Sequence, residues 1–345
     1  MKRIQALQQQ LQEHDMTQLL LCDPIAIQYL INRKFSCGER FLGLLVKPEG
    51  KPLLFLNQLF PCAESEVFDL LSYEDGTDVV TLVEKYLNKG MLAVDQALPA
   101  RILLPLMNQR AGNMQLGSFL VDGLRLRKEE AEQQAMRQAS LLNDRIMEEV
   151  SSILKPGIVD YEVEEFILKK HRECHVQASF PPIVAFGDVS SDPHGCACGR
   201  VLQEQDVAII DMGLVLDSYC SDMTRTFVFA QPDMTAIYEI VKQANLAAIA
   251  AVKPGVRFCD IDAAARNVIA EAGYGDYFVH RTGHGIGLDV HEPMDVSKVN
   301  THPVEAGMCF SIEPGIYLPG IGGVRIEDLV IVQKHGAEVL NHFPK

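Results

Sequence analysis

Residues 278–293 read Phe-Val-His-Arg-Thr-Gly-His-Gly-Ile-Gly-Leu-Asp-Val-His-Glu-Pro, which sets His280, His284 and His291 within twelve residues and among Gly283, Gly285 and Gly287. Imidazole nitrogens coordinate metals or move protons near neutral pH, and clustered glycines let backbone come close to another group. They do not form a phosphate cradle, because no hydrophobic strand runs directly into them and no helical pattern opens from them. Carboxylates complete the pattern. The apolar run 207–210 delivers Asp211, and Asp222 leads into the strand 227–229; the run 308–312 delivers Glu313, and 324–326 delivers Glu327. A carboxylate at the end of an apolar strand is costly to bury unless it is paired or metal-bound. One such residue is explained as a turn cap; four are not, and these strands hold too few cations to pair with all of them. Two divalent cations, about +4 in total, balance four carboxylates at about −4, with His284 as a neutral nitrogen ligand. Oxygen-rich ligation with one imidazole and no thiolate points to Mn²⁺ or Co²⁺, with Zn²⁺ or Fe²⁺ as alternatives. Cys220 and Cys309 lie near these strands and are read as small apolar packing groups.

The elements that must position these residues follow a repeat. Lys155-Pro156-Gly157 recurs as Lys253-Pro254-Gly255, a shift of 98 residues. The first copy follows a long polar-faced helix over 128–152 and the second a helix over 235–251, and each precedes a helix taken to be capped by Asp160 or Asp260. Asp211 and Asp222 then correspond to Glu313 and Glu327, displaced by 102 and 105 residues. The shared order of helix, turn, helix and acidic strand pair predicts a duplicated fold whose pseudo-twofold symmetry brings the acidic pairs face to face. The eleven residues between Asp211 and Asp222 suit a hairpin that returns one beside the other.

The first third alternates helical and strand patterns. Ile4, Leu7 and Leu11 have helical spacing, 19–21 is a short apolar strand, and Asp23-Pro24 starts a helix over 25–30. Strands over 41–46 and 53–55 flank the turn 48–50, and a helix over 79–87, a strand over 91–94 and a helix over 99–107 complete an α/β domain. No nucleotide fingerprint lies in it. Two domains are expected, over 1–122 and 123–345, since 345 residues exceed the usual single core. A net charge of −15 argues against nucleic acid or anionic membrane as the main partner. No apolar run reaches the length of a signal core or membrane span, and nine scattered cysteines without a CxxC pair fit reduced thiols, so the expected location is the cytoplasm.

Asp211, Asp222, His284, Glu313 and Glu327 stand inside Ile-Asp-Met-Gly, Ser-Asp-Met-Thr-Arg-Thr, Gly-His-Gly-Ile-Gly, Ser-Ile-Glu-Pro-Gly and Arg-Ile-Glu-Asp. These five motifs, in this order, resemble the metal-ligand motifs of the pita-bread metallopeptidases, in the branch of Xaa-Pro dipeptidase (prolidase) and aminopeptidase P. The resemblance covers the whole second domain, and the first third resembles the creatinase-type N-terminal domain of that branch; methionine aminopeptidases are a weaker match because they usually lack such a domain. It implies an α/β creatinase-like domain followed by an α+β pita-bread catalytic domain, two divalent ions with Mn²⁺ foremost, a homodimer, and a metal-bridging hydroxide that attacks the bond before proline in a dipeptide or short peptide. It further implies that Asp222 and Glu327 bridge the ions, Asp211 chelates one, and His284 with Glu313 completes the other. Glu313 is the candidate proton shuttle, His291 a stabiliser of the tetrahedral intermediate, His280 and His194 substrate contacts, and Arg325 a group that orders the site or meets a carboxylate.

Two departures from the family pattern stand out. Ser36-Cys37-Gly38-Glu39-Arg40 occupies the place of a loop that often reads Asp-Pro-His-Glu-Arg in prolidases, and Met294 stands where a second proline is common after His-Glu-Pro. The first puts strict dipeptidase activity in doubt. The competing readings are an aminopeptidase of other N-terminal specificity, a creatinase-like hydrolase and a non-catalytic binding protein on the same fold; the last two usually lose metal ligands, and here all five are intact.

Overall fold

A computed structural model describes residues 2–63, 65–110 and 113–345. The chain divides into two compact units, Met1–Arg125 and Leu126–Lys345.

The first unit is built on strands β1 (Leu19–Leu21), β2 (Gly43–Val46), β3 (Leu53–Asn57), β4 (Asp69–Tyr73), β5 (Leu92–Val94) and β6 (Met114–Leu116), in the order β4-β3-β2-β1-β5-β6. β1 runs antiparallel to β2 and parallel to β5, so the apolar run at 19–21 is fully buried at the sheet centre. Its helices are α1 (Lys2–Glu13), α2 (Pro24–Ile31), α3 (Val79–Glu84), α4 (Ala100–Gln109) and α5 (Ser118–Leu126). Asp23 caps α2 by accepting from the amides of Ile25 and Ala26, and Ile4, Leu7 and Leu11 form the buried stripe of α1. α3 stops three residues short of the expected helix over 79–87, and α5 runs through the expected domain boundary at 122. In the loop that departs from the prolidase pattern, Arg40 makes a two-pronged ion pair with Asp75 at 2.9 and 2.8 Å.

The second unit begins with the helix pair α6 (Glu130–Ile153) and α7 (Asp160–Glu173), followed by β7 (Gln177–Ala178), β8 (Ile183–Phe186), β9 (Val207–Met212), β10 (Leu214–Leu216), β11 (Tyr219–Cys220) and β12 (Met223–Val228). A second helix pair, α8 (Pro232–Ala251) and α9 (Phe258–Glu271), leads into β13 (Gly283–Gly285), β14 (Glu292–Val296), β15 (Cys309–Ile312), β16 (Gly315–Leu318), β17 (Gly322–Arg325), β18 (Asp328–Gln333) and β19 (Gly336–Val339). β9 pairs antiparallel with β12 as β15 does with β18. The duplication extends to single hydrogen bonds. Gly157 donates its amide to Leu202 O, and Gly255 to Val304 O, each at 2.8 Å. Asn143 donates its side-chain amide to Met212 O and Asn245 to Ile312 O, at 2.9 and 3.0 Å, bolting the first helix of each pair to its strand.

The helix starts differ from expectation. Asp160 and Asp260 are not caps: Val159 and Arg257 take that position, and both aspartates lie in the first turn. Asp160 is buried and accepts from the amides of Cys198, Gly199 and Arg200, so it organises the loop before β9; Asp260 pairs with Arg257.

One buried imidazole adds a pH-sensitive element. His171, on the core face of α7, has both ring nitrogens buried without a hydrogen-bond partner, and burial holds its pKa below the ordinary 6.5. The unfolded chain therefore binds this proton first as pH falls. Its neutral form is fully compatible with the fold above about pH 6.5, and stability is lost below that at up to about 1.4 kcal/mol per pH unit until the folded pKa is reached. His171→Leu is expected to gain on the parent between pH 7.5 and 5.5 in urea denaturation; a constant difference across that range refutes the assignment.

Candidate metal centre

Asp211 is the penultimate residue of β9 and Asp222 immediately precedes β12, while Glu313 follows β15 and Glu327 precedes β18. Strand pairing within each half places each acidic pair side by side, and the two halves bring both pairs to one cavity of about 420 Å³. Asp211, Asp222, Glu327 and His284 are buried and Glu313 partly so. His284 sits on β13, between β14 and β15. Its Nδ1 lies 3.1 Å from Gly285 O, which leaves Nε2 facing Glu313, Asp222 and Glu327 at 3.4, 3.7 and 4.0 Å. A ring that donates through one nitrogen and presents the other to carboxylates is the arrangement of a metal ligand.

The electrostatics of the bare cluster are unbalanced. Burial, then the neighbouring Glu327, raises the Asp222 carboxyl well above its ordinary range, and burial followed by Glu313 and Asp211 does the same to Glu327. Burial pushes Glu313 up to about 7 and His284 down to about 3. One oxygen on each of Asp211, Asp222 and Glu327 is buried without a hydrogen-bond partner. Ligand atoms of Asp222, His284 and Glu327 all lie within 4.8 Å of one another. The 3.7 and 4.0 Å from His284 Nε2 to Asp222 and Glu327 are too great for hydrogen bonds and suit ligands about 2.1 Å from a shared cation. Orphaned acceptors, repelling carboxylates and an imidazole aimed at them form a donor set that divalent cations satisfy. Cys309 adds no thiolate, since burial pushes its thiol up to about 12.

The other expected residues also reach this cavity. His280 Nε2 lies 2.9 Å from Tyr317 Oη, and burial lowers its pKa to about 4. His291 packs edge-on against His284 with ring centroids 4.3 Å apart, and His194 lies exposed at the cavity wall. Arg325 is buried and supplies a cation that the strand sequences alone had not revealed as paired: its Nη2 donates to Asp211 at 2.7 Å, Nη1 to Tyr317 Oη and Pro193 O at 2.9 and 3.0 Å, and Nε to Thr224 Oγ1 at 3.1 Å.

Several groups were not singled out from sequence. Tyr317 joins His280 to Arg325. Thr224, inside the Ser-Asp-Met-Thr-Arg-Thr motif, donates to Glu327 at 2.8 Å, and the Ser311 hydroxyl accepts from the His284 amide and donates to Glu313. Thr224 and Ser311 each lie two residues from a carboxylate already identified, and that proximity was the available signal.

The close approach that the glycines permit is to backbone. A Cβ on Gly283 would stand 1.9 Å from Ser311 O, and one on Gly285 2.3 Å from Pro293 O. They let β13 lie against its neighbouring strands. Met294 holds φ at +74° in a left-handed conformation within β14. Proline is fixed near −65°, so Met294→Pro is expected to destabilise the protein by more than about 1 kcal/mol in urea denaturation, and unchanged stability contradicts the strained backbone.

A duplicated α+β unit that closes four carboxylates and a histidine around one cavity defines a pita-bread metallohydrolase. The chain belongs to metallopeptidase family M24, whose family model matches residues 134–334; residues 3–127 match the creatinase/prolidase N-terminal domain. An uncharacterized peptidase of Staphylococcus aureus (strain USA300) is 38% identical over 339 residues, covering 93% of each chain. Among solved structures, an Xaa-Pro dipeptidase from Bacillus anthracis matches with a TM-score of 0.91 at 30% identity over 100% of this chain and 98% of that one. An X-Pro aminopeptidase from Thermotoga maritima MSB8 matches with a TM-score of 0.82 at 28% identity, over 95% and 96%. No helix among the described residues is long and apolar enough to cross a membrane.

Proposed function

We propose that this metallopeptidase hydrolyses the peptide bond before proline, in Xaa-Pro dipeptides or at the N-terminus of Xaa-Pro peptides. The observation that carries the reading is the set of orphaned carboxylate oxygens around His284 in an open cavity. Asp222 and Glu327, together with Asp211, His284 and Glu313, would hold two divalent ions. When bound, two divalent ions neutralise these carboxylates, polarise the scissile carbonyl and supply an activated water near neutral pH. The hard, oxygen-rich donor set with no thiolate supports Mn²⁺, with Co²⁺, Zn²⁺ or Fe²⁺ as alternatives.

The protein's own groups fit this chemistry. Glu313, with a pKa near neutrality in the bare site and a serine hydroxyl on one oxygen, is suited to hold and pass on a proton. His291, His280 and His194 face the cavity as neutral or exposed imidazoles placed to bind the carbonyl oxygen and the peptide. Phe180, Ile183 and Val290 give the cavity an apolar wall for a proline ring, and the missing amide hydrogen of an Xaa-Pro bond removes a donor that general peptidases use. The solved dipeptidase and aminopeptidase neighbours support the same substrate class. A cytoplasmic homodimer belongs to this reading; nine cysteines scattered along the chain without a CxxC pair support a reducing compartment, and the dimer rests on the resemblance to prolidases and is checked by light scattering.

The deciding measurement compares Ala-Pro with Ala-Pro-Ala, each with Mn²⁺ and with chelator. Cleavage of the dipeptide alone identifies a dipeptidase, and release of alanine from the tripeptide identifies an aminopeptidase. Activity that survives chelator removes the metal mechanism, and failure on both substrates removes the proline specificity.

A further inference from the structure

Behind the carboxylates lies a second layer of contacts made by residues 341–345 and Arg225, none of which lines the cavity. Asn341 is buried. Its Nδ2 donates to Asp222 O at 3.1 Å, and its Oδ1 accepts from Leu329 N at 2.7 Å, so it ties residue 222 to β18 two residues beyond Glu327. Arg225, inside the Ser-Asp-Met-Thr-Arg-Thr motif, is only 1% exposed. Its Nη1 donates to Glu327 O at 2.6 Å and to Thr224 O at 2.9 Å. Its Nη2 donates to Asp328 Oδ1 and Phe343 O, both at 2.9 Å, and its Nε to Phe343 O at 3.1 Å.

The segment is itself anchored at several points. His342 N and Phe343 N donate to the two oxygens of Asp144 on α6 at 2.8 and 3.0 Å. Lys345 Nζ contacts Asp328 and donates to Asn245 Oδ1 at 2.7 Å. Asn245 is the residue that holds Ile312 O, next to Glu313. One short segment thus reaches the backbone at Asp222 directly, that at Glu327 through Arg225 and, through Asn245, the neighbour of Glu313.

We propose that residues 341–345 and Arg225 form a strap that positions Asp222 and Glu327 and so sets the affinity of the site for divalent cations. The inference rests on those two residues being metal ligands. A carboxylate that ligates a cation must be held to within about 0.5 Å, and the direction of a short side chain such as Asp222 follows its backbone closely. Arg225 supplies five contacts to four residues from one planar guanidinium, a geometry that a lysine ammonium cannot reproduce. Arg225 and Asn341 are therefore positioning residues.

The test uses the full chain as parent and as Asn341→Ala, Arg225→Lys and, as a control for lost core packing, Ile167→Val. Mn²⁺ binding is measured by titration calorimetry, and the visible absorption of the Co²⁺-loaded protein reports ligand geometry. The parent is expected to bind both ions; Asn341→Ala and Arg225→Lys are expected to weaken Mn²⁺ binding about tenfold and to alter the Co²⁺ spectrum, while Ile167→Val changes neither. Parent-like affinity and spectrum in Asn341→Ala overturn the strap, and this variant decides alone if Arg225→Lys fails to fold. A parent that takes up neither ion overturns the metal reading itself, a result distinct from a parent that binds and variants that match it.

Discussion

Asp222→Asn is expected to lower kcat/KM by at least about 10³-fold while leaving the metal-free protein as stable as the parent or more so. The two effects have one cause. In the bare site Asp222 is a buried carboxylate with an oxygen lacking any hydrogen-bond partner, repelled by Glu327, Asp211 and Glu313. An amide of the same shape removes that repulsion and cannot neutralise a cation. Metal assistance stabilises a transition state by several kcal/mol, and about 4 kcal/mol is a factor of 10³ in rate. Ion binding at a hundredfold excess over Kd stabilises the parent by about 2.7 kcal/mol, and the variant should lose most of that gain. Melting curves with and without Mn²⁺, together with Ala-Pro hydrolysis, check both halves. A metal-free variant that is clearly less stable than the parent, or one that keeps its activity, contradicts the assignment.

Arg325→Met should be severe in the opposite sense, lowering stability by about 3–5 kcal/mol in the metal-free protein. Removing one partner of a buried ion pair leaves the other charge uncompensated, and here Asp211, Tyr317, Thr224 and the Pro193 carbonyl all lose a donor at once. Bound cations would compensate Asp211 in part, so the deficit is expected to shrink when Mn²⁺ is present. Activity should fall about 10–100-fold, the usual cost of removing a group that orients a ligand. Arg325→Lys should recover little, because a single ammonium cannot span four acceptors in fixed directions. Denaturation with and without Mn²⁺ gives the answer; an equal deficit in both conditions means that Arg325 acts on the fold and not through Asp211.

The duplication was legible because turns and charges survive in sequence: Lys155-Pro156-Gly157 and Lys253-Pro254-Gly255 mark equivalent helix ends, and both glycines take positive φ. The four carboxylates that meet at the cavity were legible for a related reason, since a charged group at the end of an apolar run is an anomaly that sequence alone exposes, and His284 was legible from its place among clustered histidines and glycines. Groups whose partners lie far along the chain were not. Arg225 reads as an ordinary surface cation until burial shows it reaching residues 327, 328 and 343, and Tyr317 has no local peculiarity at all. Asp160 was misassigned because local chemistry offered a sufficient explanation, a cap. The actual constraint was the backbone at residues 198–200, brought close by tertiary packing.

The pairing of two similar halves, each held to its own helix by Asn143 or Asn245, also orders events during synthesis. Asp211 and Asp222 leave the ribosome well before His284, Glu313 and Glu327, so a nascent chain carrying only the first half presents two carboxylates with no imidazole opposite them. Lys345 and Asn341, which brace the second pair and reach the first, emerge later still. The donor set is complete only when both halves are folded against each other, since Asp222 from the first half and His284 and Glu327 from the second bring their ligand atoms within 4.8 Å of one another.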